Sequence, residues 1–231
     1  MPIRKLLHRF ACGMTVPIVH KVRNHSVWLS SQRSMYWEQE KALIISDLHF
    51  GKTGHFRKAG IPVPQSVYKE DLQRLVSQVQ YYQPQKLVIV GDLFHSEMNK
   101  ELELFKKWRS NFSQLNVLLI KGNHDILTDK WYQEAEIEIH HDHLTITNFT
   151  FIHDICDSVP GNENYFFSGH IHPGISIRGN GKQSFHFPCF YFTETYCVIP
   201  AFSRFTGTYS INPQKNETVF AIVENSIVQL Q

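Results

Sequence analysis

The stretch KLVIVGDLFH, residues 86–95, decides the fold. Leu87, Val88, Ile89 and Val90 form a short apolar run suited to a strand buried on both faces, and the run stops at Gly91 and Asp92. A carboxylate is thereby delivered to the mouth of a sheet, where it can bridge two metal ions. Two similar junctions flank it: residues 42–45 lead into Asp47 and His49, and residues 117–120 lead into Asn123, His124 and Asp125.

Between these runs the apolar spacing turns helical. Val67, Leu72, Leu75, Val76 and Val79 predict an amphipathic helix over 65–83, ended by Pro84, and Met98, Leu102, Phe105, Trp108 and Phe112 predict another over 97–112 with a core-facing side. Strand and helix therefore alternate, the pattern of an α/β sheet covered by helices. Short strands are also expected at 17–22 and 26–29. Beyond Trp131 the texture becomes mostly β. Strands are expected at 137–140, 144–147, 149–153, 165–168, 175–178, 184–187, 189–192, 196–199, 219–223 and 227–230, with Asn180-Gly181 as a hairpin turn. No repeat, low-complexity tract or linker interrupts the chain. The expected organisation is one domain over 17–231 with two sheets, preceded by a flexible basic extension over 1–16.

The chain has 231 residues, 42% apolar and 19% charged, enough for a sizeable core of the soluble globular kind. A formal charge of +2 does not mark a nucleic-acid binder, so any basic footprint must be local. Cys12, Cys156, Cys189 and Cys197 form neither a CxxC pair nor a dense disulfide framework, which favours a reducing compartment and buried thiols. No apolar run approaches the ~20 residues that span a bilayer. The start, MPIRKLLHRF, is basic but has no continuous apolar segment or cleavage pattern, and Met14 is an alternative start.

The chemistry lies in the 14 histidines and their neighbours. In open α/β sheets ligands bind at the carboxyl ends of strands, so Asp47 and His49, Asp92, and Asn123 with His124 can converge. His153 and the Gly169-His170-Ile171-His172 segment follow two later strands. Two carboxylates, one amide oxygen and four imidazoles then form a ligand set for two divalent ions. Imidazole suits zinc and iron, and the oxygens also admit manganese or magnesium. Two ions ~3.5 to 4 Å apart can stabilise both the attacking and the leaving oxygen of a phosphoryl displacement. Each pair alone is as readily a turn or a hydrogen-bonded structural histidine; the meaning comes from five pieces in order, each ending an apolar run.

That order, DLH at 47–49, GD at 91–92, GNHD at 122–125, His153 and GHIH at 169–172, resembles the calcineurin-like metallophosphoesterases. The resemblance implies an α/β sandwich of two mixed sheets flanked by helices. It implies that Asp47, His49 and His172 hold one metal and Asn123, His153 and His170 the other, with Asp92 shared. His124 would face the scissile phosphate, oriented by Asp125. One departure is Ile152 before His153, where the family often has glycine. DLHFGKTGHFRKAGIPVP at 47–64, GDLFHS at 91–96 and PAFSRFTG at 200–207 further resemble the ligase-associated DNA damage response endonuclease (PdeM) subfamily. That implies a cytoplasmic, manganese-dependent phosphodiesterase that cleaves DNA in repair by in-line attack of a metal-bound hydroxide, alongside a DNA ligase and helicase.

Two other readings stay open: a small-nucleotide phosphodiesterase or phosphomonoesterase on the same site, and an inactive scaffold, for which a full ligand set has no chemical need. Lys52, Arg57 and Lys58 are candidate phosphate contacts because they follow the first ligands closely. His95 can be an outer hydrogen-bond partner of the site. The cluster His140, His141, Asp142 and His143 reads as a solvated turn. Phe185, Phe187, Phe190, Tyr191 and Phe192 read as strand packing rather than a base-stacking surface.

Overall fold

A computed structural model describes residues 16–52, 66–95, 100–158, 163–179 and 183–230. The first sheet contains β1 (Ile18–Val22), β2 (His25–Ser30), β3 (Ser34–Trp37), β4 (Ala42–Ser46), β5 (Lys86–Val90), β6 (Asn116–Ile120) and β7 (Ile137–His140), in that order across the sheet. Strands β1 to β4 pair antiparallel, and β4 to β7 pair parallel. The connections of the parallel half carry α1 (Ser66–Tyr82), α2 (Lys100–Ser110) and α3 (Asp129–Glu134).

The two-residue period of a strand sends alternate side chains to opposite faces. Leu43, Ile45, Leu87, Ile89, Val117 and Leu119 pack beneath the helices with Leu75, Val79, Leu102, Phe105 and Trp131. Ala42, Ile44, Val88, Val90, Leu118 and Ile120 face the second sheet. The central strands are thus apolar throughout because both of their faces are covered.

The second sheet is built from β8 (His143–Ile146), β9 (Phe149–Ile152), β10 (Tyr165–Ser168), β11 (Pro173–Arg178), β12 (Ser184–Phe192), β13 (Tyr196–Val198), β14 (Tyr209–Ser210), β15 (Thr218–Val223) and β16 (Ser226–Gln229). It is mixed, with β10 parallel to both β9 and β13 and most other pairs antiparallel. Phe149, Phe151, Phe167, Phe190 and Phe220 fill the space between the sheets with Trp37 and Leu29. The expected sandwich of two mixed sheets is present, with all three described helices on the outer face of the first sheet.

Several details depart from expectation. Two strands were expected on either side of Pro188, yet β12 runs through it. Residues up to Pro188 pair with β11 while Cys189 onward pairs with β15, so the proline sits where the strand changes partners. Strands β3 and β14 and helix α3 are additions. Residues 140–143 link β7 in one sheet to β8 in the other, and His141 and Asp142 are exposed there. Phe190 and Phe192 are core, whereas Phe185 is half exposed. Cys189 and Cys197 are buried, but Cys156 is exposed, a correction to the expectation of buried thiols. The extension over 1–16 falls, save residue 16, outside the described residues, as do Cys12, Arg57, Lys58, Met98 and the Asn180-Gly181 turn. No described helix is long and apolar enough to cross a membrane.

Candidate metal centre

The carboxyl ends of β4, β5 and β6 in one sheet and of β9 and β10 in the other open onto the same edge of the sandwich, and every predicted ligand emerges there. The backbone is bent sharply to place them. Asp47, His49, Asp92, His170 and His172 all have φ between 49° and 66°. Such left-handed residues cost roughly 1 to 2 kcal/mol each, and Asp, Asn and His tolerate the conformation best. The strain is held by cross-links between the loops: Asp47 N donates to Gly91 O at 3.2 Å, and His49 N to Asp92 O at 2.9 Å.

Glycine before the ligands is a packing requirement. A side chain at Gly91 would collide with the His153 ring, and one at Gly122 with the Asp92 carboxylate. At Gly169 it would strike the Ser46 hydroxyl and the Asp47 carboxylate. The repeated Gly-ligand pattern is therefore the sequence signal for loops that nearly touch.

Two clusters result. Ligand atoms of Asp47, His49 and His172 lie within 4.8 Å of one another, as do those of Asp47, Asp92 and His153. Asn123 Oδ1 is 3.0 Å from His153 Nε2, and His170 Nδ1 is 3.1 Å from the same nitrogen. Asp92 reaches both sides, with Oδ1 3.5 Å from His153 Nε2 and Oδ2 3.9 Å from His49 Nε2. Asp47 is also common to both clusters, so two carboxylates rather than Asp92 alone span the centre.

The electrostatics fit divalent cations. Asp47 and Asp92 are buried close together, an arrangement that is costly without positive charge nearby. Burial raises the Asp92 pKa, while His153 opposes the shift. Burial acts the same way on Asp47, but the hydrogen bond to His172 and the neighbouring His172 and His153 outweigh it and leave the pKa below the usual value. Burial lowers the His49 pKa to about 3, which keeps that imidazole neutral and able to coordinate. Nδ1 of His49 and of His153 is buried without a hydrogen-bond partner among the described residues. His49 Nε2 faces His172 Nε2 at 3.4 Å, so ring nitrogens converge on one point instead of on donors.

His124 stands beside the ligands. Its backbone N donates to Asp92 Oδ1 at 3.0 Å, and its ring lies 4.3 Å from the His95 ring and 5.5 Å from that of His49. Asp125 is buried beside His124. Its carboxylate accepts backbone N–H bonds from Gly122 at 2.9 Å, Phe94 at 3.0 Å and Leu93 at 3.3 Å. It braces the two loops that carry Asp92 and Asn123. Burial pushes its pKa up to about 7 against those three donors. Lys52 is half buried at the site. Burial lowers its pKa, and the Asp92 and Asp47 carboxylates oppose the shift.

One carboxylate went unpredicted. Asp154 Oδ2 lies 3.7 Å from His170 Nε2, on the ring edge away from His153, and can fix the His170 ring with Nδ1 toward the centre. Its position next to His153 was the available signal.

A mixed-sheet sandwich with this donor set at its carboxyl edge defines a metal-dependent phosphoesterase. Residues 40–188 match the calcineurin-like phosphoesterase family, and the chain belongs to it. No curated protein matches the chain in sequence. Among solved structures it is similar to a Pseudomonas putida nuclease MPE. The identity is 24% and the TM-score 0.79, over 93% of this chain and all of that one, a likeness of fold.

Proposed function

We propose that the protein is a two-metal phosphodiesterase that cleaves DNA. The observation that carries this reading is the convergence of seven donors into two clusters spanned by Asp47 and Asp92, with His124 and Lys52 at the rim. Asp47, His49 and His172 would hold one ion and Asn123, His153 and His170 the other, with Asp92 shared between them. Divalent ions held by these residues would supply Lewis-acid stabilisation of the attacking and leaving oxygens of a phosphodiester. The chain contributes the rest. His124, tied through its backbone to Asp92, presents its imidazole for proton delivery to the leaving oxygen. Lys52 supplies a cation for a substrate phosphate.

DNA as substrate, manganese as the metal and a repair role alongside a ligase and helicase rest on the PdeM resemblance. The structural neighbour is a nuclease, which is consistent with the first of these. The free thiols of Cys156, Cys189 and Cys197 agree with a cytoplasmic setting.

The test is to assay the manganese-loaded protein on single-stranded DNA, nicked duplex, a simple aryl diester and a simple aryl monoester. Cleavage of DNA and diester over monoester supports the reading. A preference for the monoester or for a small cyclic nucleotide overturns the DNA assignment, and the absence of any hydrolysis overturns the activity. Replacing Lys52 by alanine should weaken DNA binding and flatten its salt dependence, with less effect on the aryl diester.

A further inference from the structure

Residues 199–207 form a strap between the two sheets, and its polar groups are divided between two tasks. On one side it grips the metal centre. Phe202 N donates to Ser46 O at 2.7 Å and Ser203 N to Asp47 O at 3.2 Å. Gly207 O receives His172 Nδ1 at 3.3 Å, and just beyond the strap Tyr209 N donates to His172 O at 2.9 Å. On the other side its carbonyls face two partly buried guanidinium groups. Arg33, in the turn between β2 and β3, donates from Nη1 to Ser203 O at 2.7 Å and to Ala201 O at 3.3 Å. Arg74, on α1, donates to Phe202 O and stacks 4.3 Å over the Phe202 ring, while its charge pairs with Asp71 at 3.0 Å. Asp71 in turn accepts from Arg204 N at 3.4 Å.

This arrangement is expensive. Burial lowers the Arg33 pKa to about 10 and the Arg74 pKa to about 9, and Arg33, Arg74 and Arg204 lie around the Asp71 carboxylate, with Glu70 adding a weaker opposing charge at Arg74. Buried ion pairs often give no net stability over apolar groups of the same size. What they do give is direction, because a guanidinium fixes its acceptors in a plane. The acceptors here are consecutive carbonyls, and the N–H groups of Phe202 and Ser203 among them hold the backbone of Ser46 and Asp47. The Gly207 carbonyl sets the proton of His172 on Nδ1 and leaves Nε2 toward the centre.

We propose that Arg33 and Arg74 are positioning residues for the Asp47–His49–His172 metal cluster, acting through strap 199–207. The inference rests on the two-metal reading. Its test measures zinc or manganese affinity by calorimetry on the full chain, the unfolding temperature of the metal-free protein, and the ¹⁵N shifts of the His172 ring in the zinc-loaded protein. Arg33→Met leaves the Asp71–Arg74 pair in place. It is expected to weaken one of two metal equivalents about 10- to 100-fold, the usual range for lost outer partners of a ligand. The His172 Nδ1–H signature should weaken with it, the metal-free unfolding temperature should stay near wild type, and Arg33→Lys should recover part of the affinity. Arg74→Met reads the clamp from the other side and serves if Arg33→Met does not fold.

His172→Ala, run in parallel, identifies which equivalent belongs to this cluster. If wild type binds fewer than two ions, the two-metal reading fails. If wild type binds two and the arginine variants match it in affinity and ¹⁵N shifts, the clamp alone is overturned. A uniform loss of both equivalents in step with unfolding temperature overturns it as well, because that is the mark of a scaffold residue.

Discussion

The two ligand clusters differ in enclosure. In the first, the side chains of Asp47, His49 and His172 are 0%, 2% and 17% exposed. In the second, Asp92 and His153 are as well buried, but the His170 side chain is 38% exposed and Asn123 lies in the open. The first is closed over by the strap and flanked by the His124 and His95 rings, whereas the second faces outward at the loops after β6 and β10. The difference teaches that one half of the centre is set by tertiary packing and the other is left open to solvent.

The largest expected effect is on the carboxylates that span both halves. Asp92→Ala should cost roughly 10³-fold or more in diester hydrolysis, since metal stabilisation of transition-state charge is worth several kcal/mol. Full two-ion occupancy by elemental analysis together with normal turnover in that variant would sink the shared role. Next comes His124→Ala, expected to lower turnover about 10²- to 10⁴-fold while metal content stays near wild type. Equal losses of metal and rate would move His124 into the ligand set.

Asp125→Ala separates brace from catalyst. Three buried backbone N–H groups lose their acceptor, so denaturant unfolding of the metal-free protein should show roughly 3 kcal/mol of destabilisation. A loss of rate with unchanged stability would return Asp125 to a catalytic role. A smaller effect concerns the clusters themselves. Stepwise chelation should remove the ion of the open cluster first, with at least about tenfold weaker affinity, or 1.4 kcal/mol. The site emptied first can be read from which of His170→Ala and His172→Ala abolishes the weaker binding step.

The smallest effect is the pH dependence of the enclosed half. His49 has a folded pKa of about 3 against 6.5 unfolded, so on acidification the unfolded chain takes up its proton first. Metal-free wild type should therefore lose stability relative to His49→Asn as pH falls from about 6.5 to 5. The difference should be at most roughly 1.4 kcal/mol per pH unit. A difference that stays constant over that range would show His49 to be solvated.

Much of this was legible in the chain because apolar runs and their polar ends are local features. The strands at 86–90 and 117–120 and the two helices follow from periodicity, and the candidate donors stand at or just past the polar ends of apolar runs, three of them, Asp92, Asn123 and His170, directly after a glycine. Strand β3 was not legible because Ser34–Trp37 shows neither polar–apolar alternation nor an aliphatic run, and its assignment comes from pairing with β2 and β4. The passage of β12 through Pro188 depends on a change of partner that no local rule contains.

By itself, then, the sequence determined the order of strand and helix, the candidate donors and the loops on which they sit, since each of these is a local feature of the chain. Only the tertiary structure decided how the donors divide. It placed Asp47 in both clusters, turned Asp125 inward onto three backbone N–H groups, set Asp154 behind His170 and brought Arg33 and Arg74 to the strap. These pairings join residues far apart in the chain, as with Arg33 and Ser203, and the packing of two sheets fixes them where no spacing along one strand can.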